Sequence, residues 1–411
     1  YYYTSQWNVP NSKRVISDGG VYRYIGYRLI NGENPFNVDY WVPPLGKYWY
    51  GFSAKYFQNP YFTSFTFYLL SIFVFTLISH NLFSQKSIRW LATYLWVLNP
   101  LIVEQTTVTM LDLPLTLFFL LHLYFLFKLK DKFSLKFLLL SAISLGLMAG
   151  IKPAYFVPFI GIIDWTFIFI IQKKNRFKNL LLFFCFVIFG YVLSYTCYFL
   201  AHPNPIPWIR LHQKVIEFQR GNGGSHDILN IFKTIFLDKY KGFWVGGKEM
   251  LVTGWSFVLP LATLIVLKNL IFIKKLVLKN IKVTYLTVFS LIYIILCLTI
   301  DFWPRYLVLL VPSLILLTVD FLKDRKVLLI LLLFSYLPWL KFTFFPDSQK
   351  TVDEYYQLIN NQQYRDAYRL LDQNSRQKTP ESEWLNLFRE PNTIPPFSKP
   401  ILEYNQWRIS I

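Results

Sequence analysis

Ten apolar stretches, each close to the length of a bilayer crossing, constrain this chain more than any other feature. A bilayer core takes roughly 20 helical apolar residues to cross. Windows that meet this, with allowance for tilt, lie at about 62–80, 88–104, 111–127, 134–150, 154–172, 179–200, 251–272, 283–300, 304–322 and 326–345. Composition agrees, since 54% hydrophobic and 20% aromatic residues in 411 exceed what an ordinary soluble domain carries. The sequence therefore predicts an all-α polytopic membrane protein.

The connections between these windows alternate in charge. One set holds Lys86 and Arg89, then Lys128, Lys130, Lys132 and Lys136, then Lys173, Lys174, Arg176 and Lys178. It continues with Lys268, Lys274, Lys275, Lys279 and Lys282, and ends with Lys323, Arg325 and Lys326. Against these 18 basic residues stand two acids, Asp131 and Asp324, so +16 of the formal charge of +19 lies on one side. The positive-inside rule makes that side cytoplasmic. The basic balance is thus a topology signal and excludes a nucleic-acid footprint. Cys185, Cys197 and Cys297 all fall inside apolar runs and read as buried small hydrophobes. An upstream transmembrane helix is expected before Tyr1.

Three regions follow: a first extracytoplasmic loop with interfacial helices over 1–61, a transmembrane bundle over 62–345 with an outer loop at 201–250, and a small C-terminal extracytoplasmic domain over 346–411. In the first loop, Val21, Tyr24, Ile25 and Leu29 share a helical stripe behind Asp18, and Asn31-Gly32 ends the helix. A second short helix is expected from about Gly46 to Phe57, with Tyr48, Trp49, Tyr50, Tyr56 and Phe57 suited to an interfacial aromatic belt. In the tail, apolar residues return at helical spacing at Val352, Tyr355, Tyr356 and Ile359, again at Tyr364, Ala367, Tyr368 and Leu371, and over Glu381–Phe388.

Chemistry-bearing residues collect on the extracytoplasmic side. Asp18 reads either as a helix N-cap or as a general base at the membrane surface. Lys47, after Pro43-Pro44-Leu45-Gly46, is a snorkelling lysine or a cation for a phosphate at headgroup level. Asp112, two residues before Pro114, is an N-cap or a second acid facing the same cavity. Lys152 and Arg305 sit where the positive-inside rule leaves few cations, and the arginine fork suits two phosphate oxygens. His226 lies in the flexible run Gly221–Asp227, within a loop that also offers His202, Trp208, Arg210, His212 and Trp244. Asp164 falls in mid-span, where a charge costs roughly 2.5–3.5 kcal/mol, and must be paired or protonated.

Asp18 followed by Pro43-Pro44-Leu45-Gly46-Lys47 resembles the first loop of the dolichyl-phosphate-mannose-dependent protein mannosyltransferases, and Leu111–Leu115 is similar to their second acidic site. That turn recurs in the related aminoarabinose transferases of lipid A. Gly146 to Lys152 and Pro304-Arg305-Tyr306 through Pro312 are similar to later landmarks, so the resemblance covers roughly residues 15–320. Gly19 stands where that family has a second acid, and Val42 where it has a histidine. The resemblance implies a GT-C-type helical bundle and an inverting glycosyltransferase that uses a polyprenyl-phosphate sugar. It implies Asp18 as base toward a hydroxyl acceptor on protein or lipid, and Lys47, Arg305 and Lys152 on the departing phosphate. Asp112 would hold the sugar or position a divalent cation, the one cofactor left open.

A transporter of lipid-linked glycans would need several ionisable residues at depth, and only Asp164 is clearly there. A polymerase of lipid-linked glycans would place its residues in the 201–250 loop. A membrane anchor alone leaves the polar clustering on one side without a purpose.

Overall fold

Asn99-Pro100 is where one apolar stretch becomes two helices. The Asn99 side chain accepts from the Leu101 amide, and Pro100 takes the first helical position, where its missing N–H costs nothing. In the computed structural model, the expected window 88–104 is therefore divided into α5 (Lys86–Val97) and α6 (Pro100–Glu104). The described residues run from 18 to 386, leaving out 40–41, 153–155, 173–174, 222–226, 243–248, 253, 301, 339–353, 356–357, 360, 372–375 and 377–379. The chain divides into two units, Tyr1–Tyr336 and Leu337–Ile411.

The first unit opens with α1 (Asp18–Ile30), α2 (Pro35–Val38) and α3 (Leu45–Tyr56), followed by α4 (Tyr61–Leu82). Beyond α6 come α7 (Asp112–Asp131), α8 (Leu135–Ala149), α9 (Phe156–Ile171) and α10 (Arg176–Leu193). Next are α11 (Thr196–Ala201), α12 (Pro205–Gly221) and α13 (Asn230–Leu237). A hairpin of β1 (Lys239–Lys241) and β2 (Glu249–Leu251) pairs antiparallel, with Tyr240 opposite Met250. The unit closes with α14 (Val258–Ile271), α15 (Ile273–Lys279), α16 (Ile281–Cys297), α17 (Leu307–Leu322) and α18 (Lys326–Phe334).

Each of the ten expected windows holds a described helix. Among the described residues, four helices are long and apolar enough to cross a membrane: Tyr61–Leu82, Asp112–Asp131, Arg176–Leu193 and Pro304–Leu322. Four more apolar helices are shorter: Leu135–Ala149, Phe156–Ile171, Val258–Ile271 and Ile281–Cys297. The protein is a multi-pass membrane protein. Its α17 is buried on nearly every side, against α5, α7, α14 and α16. By contrast α10 leaves Leu181 and Ile188 about two-thirds exposed, as a bilayer-facing surface requires.

Small residues let the bundle close. A Cβ on Gly146 of α8 would stand 2.1 Å from the Val187 carbonyl oxygen of α10, and one on Gly190 would stand 2.5 Å from the Ile143 oxygen. The two helices therefore touch backbone to backbone. The second unit holds α19 (Tyr364–Arg369) and α20 (Glu381–Asn386), and packs Ile359, Ala367 and Tyr368 against Tyr355, Leu358, Tyr364, Leu371 and Leu385.

Candidate functional site

The first loop is built on one close crossing. Gly26 of α1 lies against α3 so tightly that a Cβ there would be 2.1 Å from the Lys47 carbonyl oxygen, and a Cβ on Gly51 would be 2.0 Å from the Gly26 oxygen. This crossing turns the buried face of α1 to Gly19, Tyr22, Arg23, Ile25, Gly26 and Leu29. Of the expected stripe, Ile25 and Leu29 are buried, whereas Val21 and Tyr24 are half-buried.

Hydrogen bonds then tie this pair to the ends of the bundle helices. Thr109 Oγ1 donates to the Gly19 carbonyl at 2.9 Å, Tyr50 OH donates to the Met110 carbonyl at 2.6 Å, and the Leu45 amide donates to the Gly150 carbonyl at 3.0 Å. The first sets the start of α1 beside the start of α7. The last sets the start of α3 beside the turn that carries Lys152.

Four of the expected site residues meet there. Arg305 Nη2 lies 2.5 Å from Asp18 Oδ2, and Lys152 Nζ donates to Asp112 Oδ1. Arg305 Nε stands 4.0 Å from Asp112 Oδ2, which links the two pairs. Asp112 opens its helix without a side-chain cap and faces a cation instead, and Asp18 likewise faces Arg305. Tyr306 supports both cations, its ring centre 5.0 Å from Lys152 Nζ and 5.7 Å from the Arg305 guanidinium.

Exposure separates the members. Asp18 keeps 48% of its side chain exposed, whereas Asp112 keeps 5%, Lys152 12% and Arg305 23%. Asp112 Oδ2 and Arg305 Nε are buried without a hydrogen-bond partner, although they face one another. Each therefore keeps hydrogen-bonding capacity that the pair itself does not use. Burial pulls the Lys152 ammonium below the ordinary lysine range, and Asp112 only partly opposes it. Burial, followed by the Asp18 charge, pushes Tyr22 well above the usual phenol value, so it stays a neutral donor.

Lys47 is placed elsewhere. Its ammonium is 1% exposed and donates to Asp39 Oδ2 at 2.7 Å and to the Val42 carbonyl at 2.6 Å. Burial lowers its pKa, with Asp39 opposing. His226 and Trp244 lie outside the described residues. His212 joins an aromatic group on α10–α12, hydrogen-bonded to Tyr191 OH at 2.7 Å with its ring centre 4.2 Å from that of Trp208. A divalent cation at Asp112 does not fit, because its two oxygens face Lys152 and Arg305. Among the described residues no three His, Cys, Asp or Glu side chains gather as a metal site.

Sequence reasoning missed Tyr306, Tyr22 and Asp39. Tyr306 adjoins Arg305, and Asp39 lies eight residues before the lysine it neutralises, so both were within reach of an argument about charge compensation.

The profile of the dolichyl-phosphate-mannose-protein mannosyltransferase family matches residues 22–218, which takes in Lys47, Asp112 and Lys152 and leaves Asp18 and Arg305 outside. ArnT from Cupriavidus metallidurans in the apo state superposes with a TM-score of 0.53 at 13% identity, over 76% of this chain and 56% of that one. The same protein bound to undecaprenyl phosphate gives 0.52 at 13% identity, over 79% and 59%. This chain thus spans little more than half the length of those structures. No curated protein matches the chain. The fold is the GT-C-type helical bundle of ArnT. The resemblance read from the sequence is borne out by this fold and by the mannosyltransferase match over residues 22–218.

Proposed function

We propose that this protein is an inverting glycosyltransferase that moves a sugar from a polyprenyl-phosphate donor to a hydroxyl acceptor on protein or lipid. The observation that carries the reading is the meeting of Asp18, Asp112, Lys152 and Arg305, drawn from four distant parts of the chain, with one half-exposed carboxylate among buried charges. The charge distribution of the loops supports an extracytoplasmic position for this site. The undecaprenyl phosphate seen on ArnT supports a lipid-phosphate donor here.

In this reading the acceptor hydroxyl gives its proton to Asp18 and attacks the anomeric carbon from the side opposite the phosphate. The C–O bond to the phosphate breaks, and the leaving lipid phosphate takes the electron pair. Arg305 holds Asp18 through Oδ2, which leaves the other oxygen to take the proton. The unpartnered Arg305 Nε and the Lys152 ammonium stabilise the charge that grows on the phosphate, as preorganised donors do without reorganisation. Asp112 keeps both cations in place.

The test is transfer from radiolabelled polyprenyl-phosphate sugars in membranes, with the anomeric configuration of the product read by NMR. Transfer with inversion supports the proposal. Retention of configuration, or no transfer from any polyprenyl-phosphate sugar, overturns it.

A further inference from the structure

The apolar middle of the bundle contains a polar node that the reaction does not use. His122 of α7, Ser141 of α8, Asp164 of α9 and Tyr285 of α16 meet at 0%, 0%, 0% and 2% exposure. Tyr285 OH donates to Asp164 Oδ1 at 2.7 Å, and His122 Nε2 lies 3.2 Å from the same oxygen. His122 Nδ1 lies 2.9 Å from Ser141 Oγ and 3.1 Å from the Ser141 carbonyl oxygen. The Ser141 hydroxyl is also 3.2 Å from the His122 carbonyl oxygen. Four helices are joined through one imidazole and one carboxylate.

Stability alone does not call for this arrangement. Well-packed apolar side chains of the same volume would join these helices at lower cost than a buried His–Asp pair. Directional bonds give something apolar packing does not, namely one fixed register between neighbouring helices.

The helices concerned are those that carry the site. His122 lies ten residues after Asp112 on α7, and Ser141 lies eleven residues before Lys152, three of them beyond the end of α8. Asp164 sits on the helix that follows Lys152, and Tyr285 on the helix that leads to Arg305. Because α7 and α8 run antiparallel, a slip of one helical turn at the His122–Ser141 contact would displace Lys152 from Asp112 by about 5.4 Å. That exceeds the reach of their ion pair. The Asp112–Lys152 contact is only as accurate as the register of these two helices.

We infer that His122, Ser141, Asp164 and Tyr285 are positioning residues that lock α7, α8, α9 and α16 in register and so hold Lys152 on Asp112. The node acts at a distance and touches no substrate.

The experiment reads the Asp112–Lys152 coupling without requiring turnover. Asp112→Ala, Lys152→Ala and the double variant are purified in detergent, and the non-additivity of their apparent Tm shifts is measured. The same cycle is repeated on Asp164→Leu and on Asp164→Asn. On the native background the non-additivity should be on the order of 2 °C or more. Asp164→Leu should abolish it. Asp164→Asn should keep most of it, because the amide oxygen still accepts from Tyr285 and His122. An unchanged coupling in Asp164→Leu overturns the inference. If Asp164→Leu does not fold, Tyr285→Phe and Ser141→Ala take its place. Each should reduce the coupling, and full coupling in both overturns the inference equally.

A kinetic arm rests on the transferase reading: Asp164→Leu should lower kcat at least about tenfold with donor KM within about twofold, and Asp164→Asn should recover it. Were the native protein to show no transfer, the functional reading would fail while the melting cycle still decided this inference.

Discussion

Replacing Lys47 by alanine removes the cation paired with Asp39 and leaves a carboxylate that is 4% exposed. Breaking a buried ion pair by deleting one partner costs about 3–5 kcal/mol, because the remaining charge is neither hydrated nor compensated. Unfolding entropy near 60 °C is about 2.1 cal/mol/K per residue, so roughly 300 cooperating residues give about 0.6 kcal/mol/K and a Tm drop of about 5–8 °C. The assay is thermal unfolding of detergent-purified protein, run beside donor KM. Lys47→Ala should melt early, and the double variant Lys47→Met/Asp39→Leu should regain most of the loss, because apolar pairs of similar volume replace buried ion pairs at little cost. A Lys47→Ala variant that melts within about 1 °C of the native protein while donor KM rises tenfold would rule out a structural role for this ion pair. That result would return Lys47 to the phosphate-binding role its motif suggests.

Three further outcomes follow from the geometry. Burial lowers the Lys152 pKa, so as pH rises it loses its proton before an ordinary lysine does. Transfer should therefore fall on an alkaline limb below pH 10.5, and Lys152→Arg should move that limb upward in a pH–rate profile. Burial raises Asp238 to about 6, and this residue sits at φ 57° with one carboxylate oxygen unpartnered. Its stability contribution is fully present below the unfolded value of 3.8 and lost as pH rises through 6. Asp238→Asn, which tolerates that backbone, should accordingly stabilise at pH 7–8 by up to about 1 kcal/mol, after discounting for partial exposure, and give no gain near pH 4 in thermal melts. Gly26→Ala forces a methyl into the Lys47 carbonyl and should cost about 1–3 kcal/mol and abolish transfer together with the α1–α3 crossing, whereas Gly32→Ala, with open space around its Cβ, should keep that crossing.

Much of the site was legible because charges are rare on the side opposite the basic loops. Asp112, Lys152 and Arg305 stand at the ends of apolar segments on that side and Asp18 opens the helix of the first loop, and the structure brings these four together. Their pairing was not legible, since Asp18 and Arg305 lie 287 residues apart and only the packed bundle makes them neighbours. Lys47 shows the opposite failure. Its motif points to a phosphate, but a lysine that deep needs a nearby acid, and Asp39 supplies it. The buried face of α1 kept Ile25 and Leu29 of its hydrophobic stripe but turned away from Val21 and Tyr24, because its partner is another helix met at Gly26, where a small residue outweighs an apolar one. Strands of three residues, as in β1 and β2, are too short to leave a period-two pattern. Asp164 announced itself as a mid-span charge, while its partners His122 and Tyr285 look from sequence like ordinary members of apolar helices.

The proposed mechanism turns on Asp18 taking the acceptor's proton within the charged cluster. The most direct measurement is transfer from a radiolabelled polyprenyl-phosphate sugar by the native protein and by Asp18→Asn, each shown to melt at the same temperature. A general base contributes about 10²–10⁴-fold, so Asp18→Asn should lose at least about 100-fold in kcat with donor KM nearly unchanged. A variant that keeps transfer within about tenfold of native would contradict it, and would leave Asp18 as the counter-ion of Arg305 and nothing more.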